Sequence, residues 1–150
     1  MPTEINHVVY FQQSPEQVWE YITNSELIEL WLMKNTMKPV LGYQFQFKMR
    51  PLPELKMDGI VYCTIMELEP FKKLTYSWKC GPGDGKLTLD SMVYWTLEPS
   101  DKGTALHLRH TGFNETEHFT LFGLMDKGWL QNMQKIVEFI KTPAHGATNA

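Results

Sequence analysis

Chemistry in this sequence starts at His110. It falls in phase with Leu106 and Leu108, which puts it on the apolar face of a strand. An imidazole held there can anchor a ligand hydroxyl or carbonyl, or exchange a proton near neutral pH. The same position suits a core histidine bonded to Tyr62, Tyr76 or backbone, and that reading is preferred over catalysis. Rings surround it: Tyr43, Phe45, Phe47, Tyr62, Tyr76, Trp78 and Trp95 are read as sharing the inward phase of successive strands. Such a set either packs a solid core or lines a pocket for a flat or lipid-like apolar molecule. Met49, Met66 and Met133 are soft enough to let a pocket accept varied shapes.

Other chemistries find little support. His7, His107, His118 and His145 are scattered, none with a second histidine or a cysteine at helical metal-site spacing. Glu115, Glu117 and His118 read as the solvated start of a helix. The run Gly81-Pro82-Gly83-Asp84-Gly85-Lys86 has the wrong glycine spacing for a phosphate loop, and Leu87 stands where Ser or Thr is needed. Glu67 and Glu69 share a wet strand face rather than forming an acid–base pair. No serine-nucleophile elbow or Cys-His pairing is visible. Cys63 and Cys80 read as free buried thiols, able to pair only if neighbouring strands bring them close. No catalytic residue, metal or cofactor is expected.

The elements that must position these residues can be read in order. Residues 5–13 form a strand that stops at Ser14-Pro15-Glu16-Gln17, a capping box with proline at the first helical position. A short helix follows, and Asn24-Ser25-Glu26 restarts a second one carrying Leu27, Ile28 and Trp31. Residues 43–50 alternate cleanly, with Tyr43, Phe45, Phe47 and Met49 against Gln44, Gln46, Lys48 and Arg50, as in a sheet with one wet face. Further strands are expected at 58–69, 74–79, 86–97 and 104–111, joined by turns into an antiparallel meander. From 118 to 141, Phe122, Met125, Trp129, Met133, Ile136, Val137 and Ile140 recur at helical spacing. Gly128 would let that helix sit close to the sheet. Thr142-Pro143 ends it.

Composition narrows the class. The 150 residues are 43% hydrophobic and 21% charged, with five Trp, six Tyr and eight Phe. One domain is expected, at residues 1–143, with a flexible tail at 144–150. The net charge of −3 offers no basic stripe for nucleic acid. No stretch approaches the roughly 18 apolar residues that span a membrane, and the first residues do not read as a secretory signal. A cytoplasmic location is the expectation.

At this point several segments resemble a known family. Ser14-Pro15-Glu16-Gln17-Val18-Trp19 through Trp31 resembles the opening helix pair of the SRPBCC, or START-like, superfamily. The run Glu67 to Trp78, the run Val93 to Pro99, Gly103-Thr104, His110-Thr111-Gly112-Phe113 and Gly128-Trp129 resemble the branch named for the activator of the heat shock protein 90 ATPase. Many members carry a glycine where Cys63 falls. The resemblance implies an α+β helix-grip fold: a curved antiparallel sheet wrapped around a long C-terminal helix, with two short helices after the first strand and an internal cavity.

The expected function combines both lines. A small hydrophobic ligand, lipid-, polyketide- or flavonoid-like, would sit between sheet and helix. Trp31, Phe45, Phe47, Tyr62, Met66, Tyr76, Trp78, Trp95 and Leu108 would form walls, His110 a polar anchor, and Trp129, Met133 and Val137 a lid. The resemblance also implies two alternatives, a chaperone partner and a cyclase- or aromatase-like activity. Against the first, the named activator has a separate N-terminal domain for which 150 residues leave no room. A monomer or a weak homodimer through an exposed edge strand is expected.

Overall fold

The capping box at Ser14 forms in full. Ser14 Oγ accepts from the Gln17 amide at 3.3 Å, and Gln17 Oε1 accepts from the Ser14 amide at 3.1 Å. It turns β1 (Glu4–Phe11) into α1 (Pro15–Thr23). The Asn24 side chain then accepts from the Glu26 and Leu27 amides and starts α2 (Ser25–Trp31). Next come β2 (Lys34–Asn35), β3 (Gln44–Lys48), a 3-10 turn at Pro53–Leu55, β4 (Ile60–Glu69), β5 (Lys73–Cys80), β6 (Leu89–Ser100), β7 (Gly103–Thr111) and α3 (Phe119–Ile140). This computed structural model describes residues 3–141, so the expected tail and Thr142-Pro143 lie outside the described residues.

The strands make one antiparallel sheet in the order β1-β7-β6-β5-β4-β3-β2. The meander runs from β2 to β7, and β1 closes along the far edge of β7 with Ile5 opposite His110. The sheet curls into a half-barrel around α3, which packs against β1 and α2. This is the expected α+β helix-grip architecture. Among the described residues no helix is long and apolar enough to cross a membrane.

Three local differences have physical causes. β2 is only two residues long, too short to show a period. β6 begins at Leu89 rather than 86, because 81–88 folds over as a loop whose ends are tied by Asp58 N–H to Gly81 O and Thr88 N–H to Cys80 O. Gly128 does not mediate a close approach: a Cβ there would meet nothing within 4 Å. The neighbouring Trp129 makes the contact with the sheet instead.

The largest correction concerns β4. Its register places Phe45 opposite Cys63 and Phe47 opposite Val61, and residues directly opposite share a face. Val61, Cys63 and Ile65 therefore point inward. Tyr62, opposite Gln46, lies on the outer face at 43% exposure, and Met66 lies there at 56%, next to a bulge at 65–67. Neither can be a wall of a pocket between the sheet and α3.

Candidate functional site

Inward positions of β5, β6 and β7 converge on α3 at His110. The imidazole is fully buried and both its nitrogens are engaged. Trp129 donates its indole N–H to Nδ1 at 3.0 Å, and Nε2 lies 2.8 Å from Ser91 Oγ. An indole nitrogen can only donate, so Nδ1 carries no proton and the neutral ring holds its proton on Nε2. His110 thus donates to Ser91, which donates in turn to the Trp78 carbonyl at 2.7 Å. Burial pushes the His110 pKa down to about 3.

Backbone geometry holds this relay together. Gly112 has a φ of 107°, and a Cβ on it would lie 2.9 Å from Asp90 O and 3.1 Å from Ser91 Cβ. Only glycine allows the end of β7 to lie that close to Ser91. The hydroxyls expected as partners for His110, those of Tyr62 and Tyr76, make no hydrogen bond to it; Ser91 and Trp129 do. Ser91, not among the residues expected at the site, interrupts an inward apolar phase formed by Leu89, Val93 and Trp95.

Ten of the thirteen residues expected at the site are brought together. Trp31, Phe45, Phe47, Tyr76, Trp78, Trp95, Leu108, His110, Trp129 and Met133 are each at most 3% exposed. Val137 is half-buried at the margin; Tyr62 and Met66 are outside. The rings meet mostly edge to face: Trp31 with Trp95 at 6.0 Å, Phe45 with Tyr76 at 5.2 Å, Trp95 with Trp129 at 5.6 Å. Side chains therefore fill the interval between sheet and α3.

An open cleft lies at one end of this interval. Leu55, Lys56, Leu87, Thr88, His118 and Leu121 line a space of about 630 Å³ between the 3-10 turn, the β5–β6 loop and the start of α3. His118 is buried here, not solvated as expected. Its Nδ1 accepts from the Asn114 amide at 2.7 Å and its Nε2 donates to Thr88 O at 2.8 Å. Thr88 Oγ1 in turn donates to Lys56 O at 2.7 Å, so the three segments of the rim are stitched to one another. From the rim a chain of rings leads inward, His118 to Phe113 at 6.1 Å and Phe113 to His110 at 4.9 Å.

The polar groups of the interior are mostly satisfied. Trp31 Nε1 donates to Tyr21 O and Trp95 Nε1 to the Tyr76 hydroxyl. The indole N–H of Trp78 meets no acceptor among the described residues. Cys63 and Cys80 are free and buried; burial raises both pKa values, that of Cys80 to about 11. These thiols stay protonated and are poor nucleophiles. Nor is Ser91 armed by His110, because the nitrogen facing it already bears a proton. Among the described residues no group of three or more His, Cys, Asp or Glu could hold a metal ion.

A family model described as activator of Hsp90 ATPase homolog 1-like protein matches residues 12–141. Among solved structures, protein MLL2253 from Mesorhizobium loti is 30% identical with a TM-score of 0.81, over 92% of this chain and 96% of that one. The Aha1 dimer from Colwellia psychrerythraea is 17% identical with a TM-score of 0.75, over 94% and 98%. DynU16, described by its place in the dynemicin biosynthetic locus, is 16% identical with a TM-score of 0.74, over 95% of this chain and 48% of that one. At those identities the last two share the fold alone. Among curated proteins there is no match.

Proposed function

Because the chain belongs to the activator of Hsp90 ATPase homolog 1-like family, we propose that it binds a small hydrophobic molecule between the sheet and α3. The observation that carries this reading is the unbroken run of rings from the cleft at His118 through Phe113 and His110 to Trp129 and Trp78. Aromatic faces and edges attract flat or apolar ligands with little polar help. Entry displaces side chains, and the unbranched Met133 is suited to yield. The residues assigned to the site are Trp31, Phe45, Phe47, Tyr76, Trp78, Trp95, Leu108, His110, Trp129, Met133 and Val137. Titration of an environment-sensitive apolar dye, followed by its emission and by Trp fluorescence, tests the reading. Saturable one-to-one binding that Leu121→Trp weakens at the cleft is expected; absence of saturable binding overturns it.

The family description supports a second reading, action on the heat shock protein 90 ATPase. Stimulation of that ATPase by the purified chain would favour it, and the absence of both stimulation and co-purification would remove it. A cyclase-like reaction has less support, since both His110 nitrogens are committed to Trp129 and Ser91.

A further inference from the structure

Within the ligand-binding reading, on which this inference rests, we propose that Trp78 rather than His110 is the polar anchor, with Tyr76 beside it. The ligand is then a neutral apolar molecule that presents a hydrogen-bond-accepting oxygen, such as an aryl ketone.

His110 has no nitrogen left to offer, because Trp129 and Ser91 take both. The indoles of Trp31, Trp95 and Trp129 each have an acceptor. Trp78 is equally buried, at 3% exposure, yet its N–H has none among the described residues. A buried donor left unmatched is costly, and an incoming acceptor recovers that cost. Tyr76 sits two residues earlier on the same face of β5. Its oxygen accepts from Trp95, and no described group accepts its hydroxyl proton. Phe47 lies against both rings, 6.2 Å from Tyr76 and 5.2 Å from Trp78. One face of β5 thus offers two donors beside an aromatic surface.

Donors alone select acceptors. A hydrocarbon of the same shape leaves the Trp78 N–H unmatched, and a ligand whose only polar group donates meets only the Tyr76 oxygen, which already accepts from Trp95. The charge of the acceptor is also constrained. No Lys or Arg occurs among the buried described residues, so a carboxylate would enter without a counter-charge and at a heavy desolvation cost. A neutral carbonyl or ether oxygen fits.

The test compares 9-fluorenone with fluorene, the same flat frame with and without a carbonyl, each displacing a bound apolar dye. Wild type should bind fluorenone roughly tenfold more tightly, the size of one satisfied hydrogen bond in a dry site. Trp78→Phe should remove most of that preference, whatever its effect on the affinity for both probes alike, while Tyr76→Phe should reduce it. The Trp78 indole proton resonance should move downfield with fluorenone and not with fluorene. Equal affinity of wild type for the two probes overturns the anchor and leaves the ligand-binding reading standing. Retention of the preference by Trp78→Phe does the same. If wild type binds neither the dye nor either probe, both proposals fall. The wild-type comparison decides even where a variant does not fold.

Discussion

Trp129 donates its indole N–H to Nδ1 of His110 across 3.0 Å, and this bond decides which nitrogen of a buried imidazole carries the proton. The consequence runs from α3 through β7 to β6 and β5. With Nδ1 occupied as an acceptor, Nε2–H points at Ser91, and Ser91 is left to donate to the Trp78 carbonyl. Helix and sheet are thus joined by a directional polar relay inside an aromatic core.

The tautomer is directly measurable. In ¹⁵N-labelled protein, His110 Nδ1 should resonate as an unprotonated nitrogen and Nε2 as a protonated one. Trp129→Phe should cost about 1–3 kcal/mol of stability, since it leaves a buried acceptor without its donor. A protonated Nδ1 in the wild type would contradict the relay.

Acid stability should carry the mark of the same residue. Burial lowers the folded-state pKa of His110 to about 3, against an ordinary value of 6.5. Between those values the unfolded chain binds a proton that the folded chain refuses, so stability falls as pH falls. The contribution is fully present above about pH 6.5 and is lost towards pH 3, with a slope approaching about 1.4 kcal/mol per pH unit. His110→Gln should lower stability at pH 7 and flatten the difference between pH 6.5 and 4, as read from denaturant midpoints. An unchanged pH slope in that variant would show that His110 titrates normally.

How much of this was legible depended on whether one strand phase was distinguishable from the other. In β3, Phe45 and Phe47 alternate with Gln44 and Gln46, and the inward face is plain. In β4, Val61-Cys63-Ile65 and Tyr62-Thr64-Met66 are both rich in apolar atoms, so periodicity does not choose between them. Pairing with β3 chooses, and that is a long-range fact. The phase of its own strand is enough to turn His110 inward, where the structure buries it. Its partners come from elsewhere: Ser91 and Trp129 each lie 19 residues away and reach it only through the curl of the sheet and the seat of α3. His118 looked solvated because its neighbours Glu115 and Glu117 are; the backbone of Thr88, 30 residues earlier, is what buries it.

The β4 assignment yields a contrast between two methionines. Met66 is exposed and Met133 is fully buried against the rings. Met66→Thr, like Tyr62→Ser, should change stability by no more than about 0.5 kcal/mol and leave dye affinity intact. Met133→Ala should cost about 2–5 kcal/mol, because a buried cavity replaces the thioether. Thermal melts of the three variants check this. A strong loss of dye binding in Tyr62→Ser would return that ring to the site.

The first half of α3 carries two glycines that no packing contact requires. A Cβ on Gly123 or Gly128 would meet nothing within 4 Å, and neither glycine has a positive φ. Glycine inside a helix costs about 0.5–1 kcal/mol relative to alanine. Both therefore weaken the helix where it borders the cleft at Leu121 and His118, while the second half is clamped by Met133 and Ile136. Gly123→Ala and Gly128→Ala should each stabilise the protein by roughly that amount. If a ligand reaches Trp78 by local opening of this half-helix, the double variant should also bind the apolar dye more slowly with little change in affinity. Hydrogen exchange should then show residues 119–128 gaining protection and 130–140 unchanged. Stabilisation spread evenly along α3, with entry rate unaltered, would mean that the ligand enters by another route.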